Sequence, residues 1–211
     1  MKNIIFDLDG TIIDSHEGIQ SSFDYAFEFI YNKKNSRTIK EFVGPPIHHI
    51  LAEISGEKDP AILDKFLTSF KLNYDSEGYK QSFLYENMES VLKNLSALGH
   101  TLYICTNKRH VPTLKIIEFL SIGHWFKKVY CIDSEADFFG DKSALTKSII
   151  NNENLNKDDT FFIGDTKHDA DAAFNNNLQF VFASYGFGKE EKAFYKNTIS
   201  EPNEIFKIIK A

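Results

Sequence analysis

Cysteine is nearly absent, with Cys105 and Cys131 the only two in 211 residues. Two thiols do not make the disulfide framework of a small secreted fold, so both are expected as buried apolar groups in a reducing cytoplasm. Long hydrophobic runs are missing as well. None approaches the ~20 apolar residues that a bilayer crossing needs, which argues against a membrane span. Met1 leads into a strand-like stretch that soon turns acidic, unlike a secretory leader, and a cytoplasmic protein is expected. Positive charge is not in excess either. Lys plus Arg number 24 against 30 Asp plus Glu, a net charge of −6. Such a chain has no global field to attract nucleic acid or an anionic membrane, so any phosphate chemistry must rely on a local one. Internal repeats and low-complexity tracts are also lacking. What remains is 42% hydrophobic and 26% charged, a globular composition. The length suits one large domain, or a core carrying a smaller insert.

Short apolar runs punctuate the chain at Asn3 to Asp7, Thr101 to Cys105, Val129 to Ile132, Thr160 to Ile163 and Phe180 to Ala183. They lack polar alternation, which suits strands buried on both faces. Helical patterns lie between them. Val91, Leu92, Leu95 and Leu98 share a helix face that stops at Gly99, and Thr113 to Leu120, Ser143 to Ile150 and Asp169 to Asn175 are similar. Asn177 is expected to end its helix in the left-handed conformation. Strands alternating with helices predict a Rossmann-like α/β/α core with a central parallel sheet, over residues 1–14 and 84–211. In such sheets ligands sit beyond the carboxyl ends of the strands. Residues 15–83 break the alternation. Ile19, Phe23, Phe27 and Ile30 are spaced as one helix face, as are Ile62, Phe66, Ser69 and Phe70, and Gly44-Pro45-Pro46 separates helices. An inserted helical subdomain is predicted there.

The polar residues at the strand ends can do chemistry. The first strand runs into Asp7-Leu8-Asp9-Gly10-Thr11. Two carboxylates two residues apart point the same way while the strand stays extended, and Gly10 allows a sharp turn after them. One carboxylate can attack phosphorus, and the other can protonate the leaving group and then activate water. A plain acidic turn is the alternative. Thr106-Asn107-Lys108 can hold a phosphoryl oxygen through a hydroxyl and backbone N–H groups, or can be ordinary turn chemistry. Lys142, before a helix, can neutralise phosphate and nucleophile, or lie on the surface. Asp165 and Asp169, in Gly164-Asp165-Thr166-Lys167-His168-Asp169, can bind a hard divalent cation, or cap a helix.

Taken together, these motifs resemble those of haloacid dehalogenase superfamily phosphatases, in the family's own order along nearly the whole chain. The helical insert resembles that family's small cap. Phe42-Val43-Gly44-Pro45-Pro46-Ile47 and Tyr185-Gly186-Phe187-Gly188 are similar to segments of its phosphoglycolate-phosphatase-like branch. The chain departs from that pattern at Tyr85-Glu86-Asn87-Met88, where relatives often carry Pro-Gly, and at Ser143-Ala144, where a proline often follows the lysine. The resemblance implies Asp7 as nucleophile and Mg²⁺ ligand. It implies Asp9 as general acid/base with its backbone carbonyl on the metal. Thr106, helped by the Asn107 backbone, would bind the phosphoryl group, Lys142 would orient Asp7 and bind substrate, and Asp165 and Asp169 would complete the metal site.

Cap residues are expected to choose the substrate. His48 is the substrate-binding candidate there, with His49, Lys71 and Tyr74 as further ones, and His16 lining the entrance. A helical histidine is otherwise surface or core material. The expected activity is Mg²⁺-dependent hydrolysis of a small phosphate ester such as phosphoglycolate, by a monomer or weak homodimer. The alternatives are a phosphomutase of the beta-phosphoglucomutase type and a non-enzymatic binding module on the same fold. A dehalogenase would need neither Asp9 nor the acidic cluster.

Overall fold

A computed structural model of the chain describes residues 1–39, 47–134, 140–188 and 195–209. The chain divides into two compact units, Met1–Asp14 with Phe83–Ala211, and Ser15–Ser82.

The first unit is built on β1 (Asn3–Phe6), whose Ile4, Ile5 and Phe6 are fully buried. A strand inaccessible on both faces must lie in the middle of a sheet covered on both sides. It does: β4 (Thr101–Thr106) and β6 (Thr160–Gly164) pair with it in parallel, one on each side. Among the described residues the sheet runs β5-β4-β1-β6-β7-β8, where β5 is Phe126–Cys131, β7 is Gln179–Ala183 and β8 is Thr198–Ile199. The chain goes outward from β1 through β4 to β5, then returns to the far side of β1 at β6. The strand order therefore reverses beside β1, and the carboxyl end of β1 is the switch point where such sheets bind ligands. Phe6 is in register with both Ile104 and Ile163. The residues just beyond this level, Asp7, Thr106 and Asp165, are thus brought together at the carboxyl-terminal edge of the sheet.

Two helices hold that edge from one face. Both α6 (Lys142–Glu153) and α7 (Lys167–Phe174) contribute to a core with Ile5, Cys105 and Phe162, through Leu145, Ile149, Ala170 and Ala173. Before β4 comes α4 (Met88–Ala97), which buries Met88, Val91, Leu92 and Leu95 and ends near Gly99 at φ 82°. Asn87 precedes it at φ 65°. Asparagine tolerates that left-handed conformation, so the chain turns there without the more usual glycine. Asn177 takes it too, at φ 57°.

The edge strand β5 starts earlier than its apolar run. Lys127 and Lys128 are exposed within it. An edge strand needs no continuous apolar run, so its first half is invisible to a search for one. The two-residue strands β2 (Ile13–Asp14) and β3 (Phe83–Leu84), which pair antiparallel, are too short for any periodicity.

The second unit contains α1 (His16–Tyr31), α2 (Ile47–Ser55) and α3 (Pro60–Ser76). Phe23, Phe27, Phe66 and Phe70 form its core with Ile50 and Leu51, and the Phe23 and Phe66 rings meet edge-on at 5.0 Å. Asp59 starts α3 by accepting the Ala61 N–H at 2.9 Å, ahead of Pro60 at the first helical position.

Both thiols are buried. Burial pushes Cys105 up to about 12, against the pull of Lys142, and raises Cys131 as well. A thiolate is the reactive form, so neither should react with a disulfide reagent at pH 8 in the folded protein, while both react after unfolding. Titration of one or more thiols within minutes in the native state would contradict this burial.

Candidate active site

The turn after β1 is shaped by its neighbours. The Asp7 N–H donates to the Ile163 carbonyl at 2.9 Å, continuing the ladder one residue past the strand. The chain then folds on itself, and the Leu8 carbonyl accepts the Ile12 and Ile13 N–H groups at 2.9 and 3.0 Å. Extended alternation therefore stops at Asp7, and Asp9 is placed by the turn rather than by the strand. Gly10 makes that turn at φ 81°, and a Cβ there would stand 2.1 Å from an Asp165 carboxylate oxygen. Both the conformation and the space require glycine.

Lys142 is the first residue of α6, whose start is fixed by Asp141 accepting the Ala144 N–H at 2.9 Å. Its ammonium reaches Asp7 Oδ1 and Asp169 Oδ1, each at 2.5 Å, with 4% of the side chain exposed. The surface alternative for this lysine is thereby excluded. Oxygens of Asp7, Asp165 and Asp169 all lie within 4.8 Å of one another.

Three buried carboxylates thus face one buried ammonium, an excess of two negative charges in a water-poor site. Burial pushes Asp7 up to about 7, with Lys142 pulling it down and Asp169 pushing it further up. Burial raises Asp165 well above the usual carboxylate range too, reinforced by Asp169 and Asp7. For Lys142 burial opposes the charge, but Asp169 and Asp7 outweigh it and hold the ammonium above its ordinary value. A divalent cation among these hard oxygen donors would balance the excess, so the residues fit Mg²⁺.

Asp165 is held firmly. Its Oδ2 accepts the Phe187 and Gly188 N–H groups at 2.7 and 3.2 Å, and Thr11 donates its hydroxyl to Oδ1 at 3.3 Å. Between these loops Gly186 comes so close that a Cβ would lie 2.2 Å from the Gly10 carbonyl and 2.4 Å from Asp165 Cβ. Tyr185 ties the same loop down by donating to the Thr11 carbonyl at 2.9 Å. Asp169 does what the helix-cap alternative required. Its Oδ2 accepts the Thr166 N–H at 2.9 Å and the Thr166 hydroxyl at 2.6 Å, closing the first turn of α7 while Oδ1 meets Lys142.

Thr106 ends β4 in a buried position, and its Oγ1 accepts the Lys108 N–H at 3.1 Å. Asn107 is exposed beside it. Lys108 donates to Asp9 Oδ1 at 2.7 Å, a pairing that sequence reasoning missed although the lysine stands next to Thr106-Asn107. The fold thus joins Asp7, Lys142, Asp165 and Asp169 in one cluster, and ties Asp9 to the turn that carries Thr106. Of the further candidates, Tyr74 is corrected. It is 3% exposed and stacks on Phe70 at 5.6 Å, a core side chain of the helical unit. Its position on the same face as Phe66 and Phe70 was the signal. Lys71 is exposed on α3, and His168 is exposed on α7. His16 is the first residue of α1. Phe42 to Pro46 and the side chains of His48 and His49 lie outside the described residues.

Residues 4–183 match the family model of haloacid dehalogenase-like hydrolases. The chain belongs to that family. This haloacid dehalogenase-like hydrolase is 30% identical over 197 residues to a 5′-nucleotidase of Pseudomonas aeruginosa, covering 90% of this chain and 86% of the relative. It is 27% identical over 199 residues to a phosphoglycolate phosphatase of Vibrio cholerae, covering 90% and 88%. Among solved structures, a haloacid dehalogenase-like family hydrolase from Streptococcus pneumoniae superimposes with a TM-score of 0.85 at 27% identity, over 99% of this chain and 98% of the other. Within the family the hydrolase stands among phosphatases, and its parallel sheet flanked by helices is the fold that the resemblance implies.

Proposed function

We propose that this hydrolase is a Mg²⁺-dependent phosphatase that cleaves small phosphomonoesters through an aspartyl-phosphate on Asp7. The observation that carries this is the buried cluster in which Lys142 grips Asp7 while Asp165 and Asp169 crowd the same space. Asp7 attacks phosphorus, and the bond from phosphorus to the ester oxygen breaks as that oxygen takes a proton from Asp9. Asp9 then takes a proton from water, which attacks the same phosphorus, frees Asp7 and releases inorganic phosphate. The Thr106 hydroxyl accepts from Lys108 and so keeps its own hydrogen to donate to a phosphoryl oxygen, beside the Asn107 N–H. Lys142 orients Asp7 and offsets its charge. Mg²⁺, held by Asp7, Asp165 and the Asp9 carbonyl with Asp169 close by, would shield the phosphoryl charge from the carboxylates.

Phosphate release, with Mg²⁺, from a panel of organic-acid, sugar and nucleotide monophosphates tests this. At least one small ester should be turned over well above background, with phosphoglycolate the first candidate. Isomerisation of a sugar phosphate without phosphate release would establish the phosphomutase alternative instead. Protein stripped with EDTA should be inactive, restored by Mg²⁺ and not by Ca²⁺, whose longer bonds and higher coordination number let Asp7 bind through both oxygens. Full activity in EDTA, or with Ca²⁺ alone, would refute the metal's role.

The candidate reacting groups all belong to the α/β unit, and the resemblance assigns substrate choice to the helical insert. His48→Ala should reorder the ranking among esters. It should leave the rate on p-nitrophenyl phosphate within about tenfold, because all esters share one phosphoryl transition state.

A further inference from the structure

Lys108 has no task in the chemistry above, yet it is built into the site. Its ammonium lies 2.7 Å from Asp9 Oδ1, with the lysine side chain 10% and the aspartate side chain 20% exposed. Its backbone N–H is bound at 3.1 Å by the hydroxyl of Thr106. One residue thus has its root on the phosphoryl-binding threonine and its head on the acid/base. An exposed lysine bridge holds nothing in place, because the chain entropy of two long side chains offsets it. This pair is mostly shielded from water, where a charge-assisted hydrogen bond is stronger and more directional. Asp9 stands beyond the strand, in a turn closed by the Gly10 N–H on the Ile13 carbonyl at 2.8 Å. The sheet ladder that positions Asp7 therefore does not extend to it.

We propose that Lys108 is a positioning residue whose ammonium fixes the Asp9 carboxylate for proton transfer at the leaving-group oxygen. The ammonium holds the carboxyl group through Oδ1 while Asp9 gives its proton to the leaving-group oxygen. Lys108 keeps its own protons. In the first step the electron pair of the broken phosphorus–oxygen bond goes to the ester oxygen, which takes the Asp9 proton. This inference rests on the phosphatase mechanism above and adds to it a dependence on the leaving group. An alkoxide leaves poorly unless protonated, whereas p-nitrophenolate leaves without help. A lysine acting through Asp9 matters for the first and hardly for the second. A lysine that only bound the phosphoryl group, or only propped its loop, would matter equally for both.

The test measures kcat and KM on p-nitrophenyl phosphate and on the best alkyl phosphate of the panel, for wild type, Lys108→Met, Asp9→Asn and the double variant. Lys108→Met should lose at least about tenfold in kcat/KM on the alkyl ester, with KM within about threefold, and less than about threefold in kcat/KM on p-nitrophenyl phosphate, because kcat/KM covers only the steps up to departure of the leaving group. It should add nothing to the loss caused by Asp9→Asn, since both act at one proton transfer. Lys108→Arg should recover part of the alkyl rate. Equal losses on both esters, a loss confined to KM, additive losses in the double variant, or no loss at all would each overturn the assignment. Should the methionine variant fail to fold, Lys108→Gln and Lys108→Arg carry the same comparison. Failure of the phosphatase mechanism itself looks different, because wild type would then release phosphate from no ester.

Discussion

Asp7→Asn is expected to leave less than about a hundredth of wild-type turnover on every ester, measured as phosphate release with saturating Mg²⁺. The amide nearly matches the carboxylate in shape but is a poor nucleophile, and it removes one charge from the cation site. The fold should survive. Asp7 is pushed up to about 7 chiefly by burial, so its folded value lies above its unfolded one near 3.8. A carboxylate shifted in that direction costs stability progressively as the pH rises from the unfolded value toward the folded one. In EDTA at pH 7 the asparagine variant should therefore melt at the same temperature as wild type or higher. Turnover above a hundredth would exclude covalent catalysis through Asp7. A large drop in melting temperature in EDTA would contradict the charge crowding in the site.

Lys142→Met should damage both chemistry and stability. The substitution leaves Asp7, Asp165 and Asp169 within 4.8 Å of one another with no ammonium among them. Removing one partner of a buried ion pair costs about 3–5 kcal/mol, since the remaining charge has nothing to compensate it. Urea unfolding in EDTA should show a loss of that order, and Mg²⁺ should raise the stability of the variant more than that of wild type. Turnover should fall for all esters together, because Asp7 loses its orientation and the phosphoryl group its counter-charge. A variant as stable as wild type in EDTA would mean that the carboxylates do not need the lysine.

The alternation of buried runs and helical faces was legible in the chain, because each side chain's burial is written locally in strand and helix periods. So were the candidate motifs, since Gly10 beside Asp7 and Asp9 and the Asp165/Asp169 pair each sit where an apolar run stops. What local pattern cannot hold is which charge meets which. Lys142 and Asp7 are 135 residues apart, and Lys108 and Asp9 are 99 apart. The Lys108 pairing depends on Phe6 standing level with Ile104, a register set by hydrogen bonds between distant strands, and the Lys142 pairing on α6 packing against Cys105 and Phe162 of the sheet. The same holds for Gly186, whose need for a missing Cβ arises only when its loop closes on Gly10 and Asp165. It holds again for the exposed half of β5, where the sheet edge relaxes the demand for apolar residues. By itself the sequence determined the main elements and the kinds of polar group at their ends. Only the tertiary structure decided the partners, because an ion pair or a close backbone approach is a property of two chain segments at once, and neither segment alone carries it.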